Sequence, residues 1–161
     1  MQTIPALLIG AKIEIEPFNA WTFLEKFKKH THTFLAPRMV EALIKTKGFK
    51  SVDLSGKFIA LGSDAIPAHH VNELTAKGAT VLSNWGMSEI GPCVINKLYQ
   101  PGEVEEQNNV LGDHWECKVK IIDGVLWVKS TMAIYDYWFS TNDLVREKKG
   151  ILYYEGRNHR S

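Results

Sequence analysis

The sequence predicts an α/β protein: a layered sheet flanked by helices, followed by a small antiparallel β-sheet or barrel. Three observations carry this. Up to Pro92, short apolar runs alternate with amphipathic stretches, the pattern of parallel strands joined by helices. Beyond Pro92 the pattern becomes alternation of period two around Asp123-Gly124, the strongest short-range hairpin signal. A chain of 161 residues, 45% hydrophobic, is also long enough for one core. The division expected is residues 1–99 for the α/β part and 100–161 for the small β part, together one compact unit.

In chain order, Pro5 to Ile9 has strand-like composition, and the alternation from Lys12 to Glu16 fits a strand with one wet face. Asn19 is placed to cap a helix whose apolar stripe is Trp21, Phe23, Leu24 and Phe27. Thr31 to Leu35 reads as a strand. Pro37 suits the first position of a second helix with Val40, Leu43 and Ile44 inward, ended by Gly48. Lys57 to Leu61 is a near-continuous apolar run. Pro67 opens a third helix with Val71 and Leu74 buried, Gly78 stops it, and Thr80 to Leu82 is the next strand. After the hairpin at Asp123-Gly124, strand-like pieces follow at Ala133 to Phe139, Asp143 to Arg146 and Ile151 to Glu155, the last two joined by Lys148-Lys149-Gly150. Trp127, Tyr137 and Trp138 are expected in the core of this β part. Gln100 to Asn109 is the candidate mobile connector.

Charge and cysteine content bound the function. A formal net charge of +1 lacks the basic excess of a nucleic-acid binder. No apolar run reaches the length of a membrane span, and no charged-then-apolar leader stands at the N-terminus, so the expected location is cytoplasmic. Cys93 and Cys117 share no metal-like spacing and are expected reduced and buried. His30 with His32, or His69-His70, offer imidazole nitrogens, but no matched carboxylate or cysteine spacing accompanies them; solvent-facing or capping roles are the simpler reading. His114 and Cys117 would point to opposite faces of an extended segment, which disfavours a thiol hydrolase.

The stretch Asn84-Trp85-Gly86-Met87-Ser88-Glu89-Ile90-Gly91-Pro92 is the candidate site. Directly after an apolar run it sets out an indole face, a glycine that lets backbone approach a ligand, a hydroxyl and a carboxylate. A nucleotide phosphate with magnesium calls for that set: a surface for the base, a donor to the phosphate, an oxygen ligand for a hard cation. An ordinary turn containing Gly86 and closed by Pro92 uses the same residue types. In parallel sheets ligands bind beyond the carboxyl ends of strands, and both Gly62-Ser63-Asp64 and Asn84–Glu89 lie at such ends.

Four stretches in order, Leu61-Gly62-Ser63-Asp64-Ala65-Ile66-Pro67, Asn84-Trp85-Gly86-Met87-Ser88-Glu89, Ser140-Thr141-Asn142-Asp143-Leu144 and Tyr154-Glu155-Gly156-Arg157, resemble successive motifs of the adenylate-forming acyl-CoA synthetase superfamily. The likeness covers essentially the whole chain and matches the back half of that family's large N-terminal domain. From Trp115 to Trp138 the chain is most similar, within the superfamily, to o-succinylbenzoate-CoA ligases. The resemblance implies ATP and AMP as ligands, magnesium as the metal, CoA as a possible acceptor and a carboxylic acid as substrate. It places Trp85 against adenine and the Ser88 hydroxyl on the α-phosphate. It gives Glu89 the magnesium, Asp143 the ribose hydroxyls, and Arg157 the ribose or phosphate. Gly62, Ser63 and Asp64, with Asn84, Gly86 and Met87, would line the nucleotide and acyl pocket; Ser88 and Glu89 would be the catalytic pair.

Departures from the family pattern are specific. Asn142 stands where a glycine usually precedes the ribose aspartate, and Asp136 where a glycine is common. No Ser/Thr/Gly-rich phosphate loop occurs, and His159 falls near the family's hinge position, ahead of the domain that carries its catalytic lysine. The implied behaviour is a truncated acyl-CoA synthetase, inactive alone. The alternatives are a stand-alone nucleotide-binding or regulatory module, or a ligand-free remnant. A homodimer or a complementing chain is the expected partner, because a sheet deprived of neighbours exposes apolar surface or open edge.

Overall fold

A computed structural model describes residues 3–158. Its helices and strands run α1 Thr3–Leu8, α2 Ala20–Phe27, β1 His32–Leu35, α3 Pro37–Ile44, α4 Lys47–Lys50, β2 Phe58–Leu61, α5 Ala68–Ala76 and β3 Thr80–Met87. Then follow β4 Gly91–Tyr99, β5 Val110–Gly112, β6 His114–Trp115, β7 Lys118–Ile122, β8 Val125–Lys129, β9 Phe139–Lys148 and β10 Ile151–Arg157.

Two five-stranded sheets result. The first, ordered β1-β2-β3-β4-β6, is parallel through β3 and antiparallel from β3 to β6. The second, ordered β5-β10-β9-β8-β7, is antiparallel throughout and open, a sheet rather than a barrel. This is the α/β arrangement followed by an antiparallel sheet that the alternation of residue types predicts. Strand β6 lies beyond residue 99 and pairs with β4 of the first sheet, while β5 pairs with β10 of the second.

Each sheet has its own apolar centre. Helices α2, α3, α4 and α5 bury Leu24, Phe27, Val40, Leu43, Phe49, Val71 and Leu74 against Leu35, Ile59, Leu61 and Val81 of the parallel strands. The second cluster joins Ile90, Val94 and Ile95 of the β3–β4 hairpin to Leu126, Val128, Val145 and Leu152. Ser83, fully buried on β3, donates to the carbonyls of Val110 and Leu111 at 3.1 and 3.2 Å, which ties the two sheets together through β5.

Local signals worked where they were self-contained. The Asn19 side chain accepts from Trp21 N–H at 3.0 Å as the α2 cap. Pro37 opens α3, and Gly78, at φ 91°, follows the end of α5. Asp123 and Gly124, at φ 50° and 79°, make the turn between β7 and β8.

Other expectations are corrected. Thr3–Leu8 is a helix, and residues 11–19 have no helix or strand. A strand needs a partner, and the wet side of Lys12 to Glu16 is held differently: Glu14 accepts from His30 at 2.9 Å and Glu16 pairs with Lys26. Trp21 stands 77% exposed, off the buried side of α2. α3 ends at Ile44, and Gly48 lies inside α4, started by the Thr46 cap on Phe49 N–H. Residues 131–138 are turns and bends, with strand beginning at Phe139. Tyr137 is 57% exposed and stacks on Tyr135. Trp127 and Trp138 are half-buried, and the Lys120 ammonium lies over both rings, 5.4 and 4.4 Å from their centroids. The 100–109 connector is pinned rather than loose: Glu105 is buried and accepts from Lys97 and Tyr99 at 2.8 and 2.7 Å, and Glu105 N–H donates to Asn72 at 2.8 Å. Among the described residues no helix is long and apolar enough to cross a membrane.

Candidate functional site

A cleft of about 480 Å³ opens beyond the carboxyl ends of β2 and β3 and is closed on its far side by β9 and β10. That volume suits a nucleotide-sized ligand. It brings together ten of the residues singled out from sequence: Ser63 and Asp64 from the turn after β2; Asn84, Trp85, Gly86, Met87, Ser88 and Glu89 from β3 and its turn; Asp143 from β9 and Arg157 from β10.

Gly62 stands behind this wall. A Cβ on it would meet the Asn84 carbonyl oxygen at 2.7 Å, so it permits a close approach between the end of β2 and β3. Ala65, Ile66 and Tyr154, which belong to the motif stretches but carry no role there, also line the cleft, as do Asn109, Val110 and Leu111, which no motif includes. Asn109 arrives through tertiary bonds, its N–H donating to the Ile66 carbonyl and its own carbonyl accepting from Tyr154 N–H, both at 2.8 Å. No local motif announces such a contact.

The Asn84–Pro92 stretch is a hairpin. β3 runs on to Met87, Ser88 to Ile90 form the turn, and β4 begins at Gly91. Pro92 therefore lies inside a strand that the sequence reading missed. It is tolerated because the ladder is interrupted there: Met87 pairs with Gly91 and Trp85 with Ile95, so Pro92, Cys93 and Val94 all oppose Gly86. Cys93 sits at φ 58° in this bulge. Ile90 is completely buried, which anchors the turn and leaves Ser88 exposed and Glu89 half-buried at its tip.

Asp143 organises the opposite wall. β9 and β10 pair it directly with Arg157, whose Nη1 donates to Asp143 Oδ1 at 2.8 Å. Trp85 Nε1 donates to the other oxygen at 3.2 Å. The aspartate is 5% exposed, and this burial pushes its carboxyl above the ordinary range, against the opposing pull of Arg157 and Trp85. Asn142 beside it, inside β9 where the ladder to β8 shifts register, takes φ 59°, the left-handed region that glycine usually fills and asparagine tolerates. Asp136 is not among the residues of positive φ and instead pairs with Lys129 at 2.8 Å.

Carboxylates outnumber cations in the lining: Asp64, Glu89 and Asp143 against Arg157. A phosphate entering here therefore needs an added cation, and Glu89, half-open at the hairpin tip, is a donor of the hard-oxygen type magnesium takes. The thiols are not activated. Burial raises the Cys93 thiol and pushes Cys117 up to about 11. The side chain of His114, the imidazole nearest Cys117 in sequence, and His159 lie outside what the structure describes.

Fold and cleft together define an α/β protein of the adenylation-domain type. The chain belongs to the AMP-binding enzyme family, whose sequence profile matches residues 1–134. Asp143 and Arg157 lie past the matched stretch and join the site through strand pairing. No curated protein sequence matches. Among solved structures, the chain is similar to the luciferase-like enzyme of the nonluminescent mealworm Zophobas morio, at 21% identity and TM-score 0.77 over 97% of this chain and 45% of that one. It is similar to the N-terminal domain of FACL13 from Mycobacterium tuberculosis, at 16% and 0.75 over 96% and 46%. Wild-type E. coli MenE, solved with a phenylether-linked analogue of OSB-AMS, gives 21% and 0.68 over 92% and 34%. The chain thus spans less than half the length of each of these proteins.

Proposed function

We propose that this chain carries the adenosine-binding part of an adenylate-forming ligase site. In the reaction, a carboxylate oxygen attacks the α-phosphorus of ATP, the bond to the β-phosphate oxygen breaks and pyrophosphate leaves; a thiol such as that of CoA then displaces AMP from the acyl-adenylate. The observation that supports this most directly is the clamped Asp143. Two of its lone-pair sites are taken by Trp85 and Arg157, and a carboxylate offers about four, which leaves acceptors for a pair of ribose hydroxyls. The indole of Trp85, held at its N–H, presents a face to adenine, and the Ser88 hydroxyl at the hairpin tip is the donor to the α-phosphate. Glu89 would hold magnesium, which when bound offsets the charge that builds on the phosphates.

For the 161 residues by themselves, binding with little turnover is the expected behaviour, since no Ser/Thr/Gly-rich phosphate loop occurs among them. Removing one electrostatic group of that kind commonly costs about 100- to 1000-fold in rate. Titration calorimetry with AMP and with a nonhydrolysable acyl-adenylate tests the reading. The expected result is binding of both, weakened about tenfold or more by Asp143→Asn and by Trp85→Ala. Absence of heat at millimolar AMP, with the chain folded, would overturn it.

A further inference from the structure

We infer that Glu41, His69 and His70 form a binding site for a transition-metal ion of the zinc type, separate from the cleft. Glu41 projects from α3, and the two histidines are consecutive in the first turn of α5. Their donor atoms, one carboxylate oxygen and two imidazole nitrogens, all lie within 4.8 Å of one another. Both Nε2 atoms address the same oxygen, Glu41 Oε2, at 3.3 Å from His69 and 3.1 Å from His70. The two rings meet edge to face with centroids 4.3 Å apart.

Those separations bear on two uses of the cluster. Bonds of about 2.0–2.2 Å to an ion put neighbouring ligand atoms about 3.0–3.5 Å apart, whereas a charge-assisted N–H···O⁻ hydrogen bond closes to about 2.7–2.9 Å. The two Glu41–His separations, 3.3 and 3.1 Å, fall in that ligand–ligand range, and an ion would draw in the two imidazole nitrogens, which lie within 4.8 Å of each other. Two imidazoles and a carboxylate suit zinc and its neighbours and leave a coordination position for water; magnesium and calcium prefer all-oxygen sites. The site has a dry wall and an open mouth, with the His70 side chain 4% exposed against 59% for His69 and 42% for Glu41.

Two features temper the affinity. Lys45 Nζ holds the other Glu41 oxygen at 2.8 Å, which leaves Oε2 as the ligand atom. His70 Nδ1 is buried without a hydrogen-bond partner, so coordination at Nε2 leaves an unpaired N–H behind it. A dissociation constant on the order of micromolar follows rather than a tighter one. An ion here would clip α3 to α5 just past the cleft wall at Ile66, next to where the Asn108 side chain caps Ala68 N–H at 2.9 Å.

The test is zinc titration of the chelator-stripped chain by calorimetry, with the absorption spectrum of the cobalt(II) form and the thermal midpoint as second readouts. The expected outcome is one equivalent bound, a raised midpoint and a cobalt spectrum without sulfur charge transfer. His69→Gln and Glu41→Gln, both at accessible positions, should each weaken binding about 10- to 100-fold while leaving the metal-free midpoint close to that of the parent. Binding undiminished in both variants, no binding at sub-millimolar zinc, or a thiolate-to-cobalt band placing the ion on Cys93 or Cys117 would each overturn the assignment.

Discussion

Two buried carboxylates in this chain are treated oppositely by their surroundings, and the contrast fits the binding role proposed for Asp143 and a structural one for Glu105. Both Asp143 and Glu105 are 5% exposed. Burial pushes Asp143 up, and the Arg157 guanidinium, half-exposed on its own stem, does not cancel the effect. Burial pushes Glu105 the same way, but Lys97, the Tyr99 hydroxyl and the Gln107 backbone N–H outweigh it and hold the carboxyl below its ordinary value. Glu105 thus takes three donors from within the fold, whereas Asp143 takes two and keeps acceptor capacity facing a cleft. Because its folded pKa is depressed, Glu105 contributes stability that is complete above its unfolded value of about 4.3 and is lost as pH falls below that through the folded value. Glu105→Gln should cost about 3 kcal/mol in urea unfolding at neutral pH, since it strands Lys97. The variant should also lose part of the parent's stability change in that acidic window; a variant matching the parent throughout would place the network outside the folding balance. Nothing adjacent in sequence marks Glu105 as special. Its partners come from β4, α5 and its own loop, so the segment reads as a polar connector until the fold assembles them.

At the level of elements, the sequence was legible wherever a signal acts within a few residues of itself and illegible where pairing overrides composition. The Asn19 cap, Pro37 at the start of α3 and the Asp123-Gly124 turn are all of the first kind. β4 is of the second: Gly91 and Pro92 look like a break, yet Gly91 pairs with Met87 and a bulge absorbs Pro92. The motif itself was legible because indole, hydroxyl and carboxylate sit within a few residues, while its hairpin form depends on β4. Gly86 is the pivot of that hairpin. A Cβ there would meet Gly91 O at 2.6 Å, Cys93 N at 2.8 Å and Pro92 Cα at 2.9 Å, all of them backbone that cannot swing aside. Gly86→Ala should therefore destabilise the chain by about 1–3 kcal/mol and weaken AMP binding together, because Trp85 adjoins the displaced residue and Ser88 lies two positions beyond it. Denaturant unfolding and AMP titration check the pair. A loss of stability with binding intact would show the bulge to be independent of the cleft.

For the molecule as a whole, the unbalanced part is the beginning of the chain. Leu7, Leu8, Ile9, Ile15 and Trp21 are 62%, 82%, 82%, 79% and 77% exposed, and β1 is an end strand of its sheet with Phe34 40% exposed. Isolated apolar residues on a surface mean little, but five large ones within fifteen positions, two of them outside any helix or strand, are a surface that water disfavours. Unpaired strand edges add N–H and C=O groups in register for another chain. Covering even a few hundred Å² of apolar surface at about 25 cal/mol per Å² offsets much of the cost of weak association. The chain is therefore expected to self-associate, with dimers as the closed form that relieves the surface at lowest order. Sedimentation velocity across a concentration series should show a weight-average coefficient that rises with concentration. Replacing Leu8 and Trp21 together by lysine and serine should flatten that rise without lowering the thermal midpoint, since neither side chain is in either apolar cluster. A coefficient constant at the monomer value up to high concentration would mean that residues 7–21 fold back over their own apolar groups in solution.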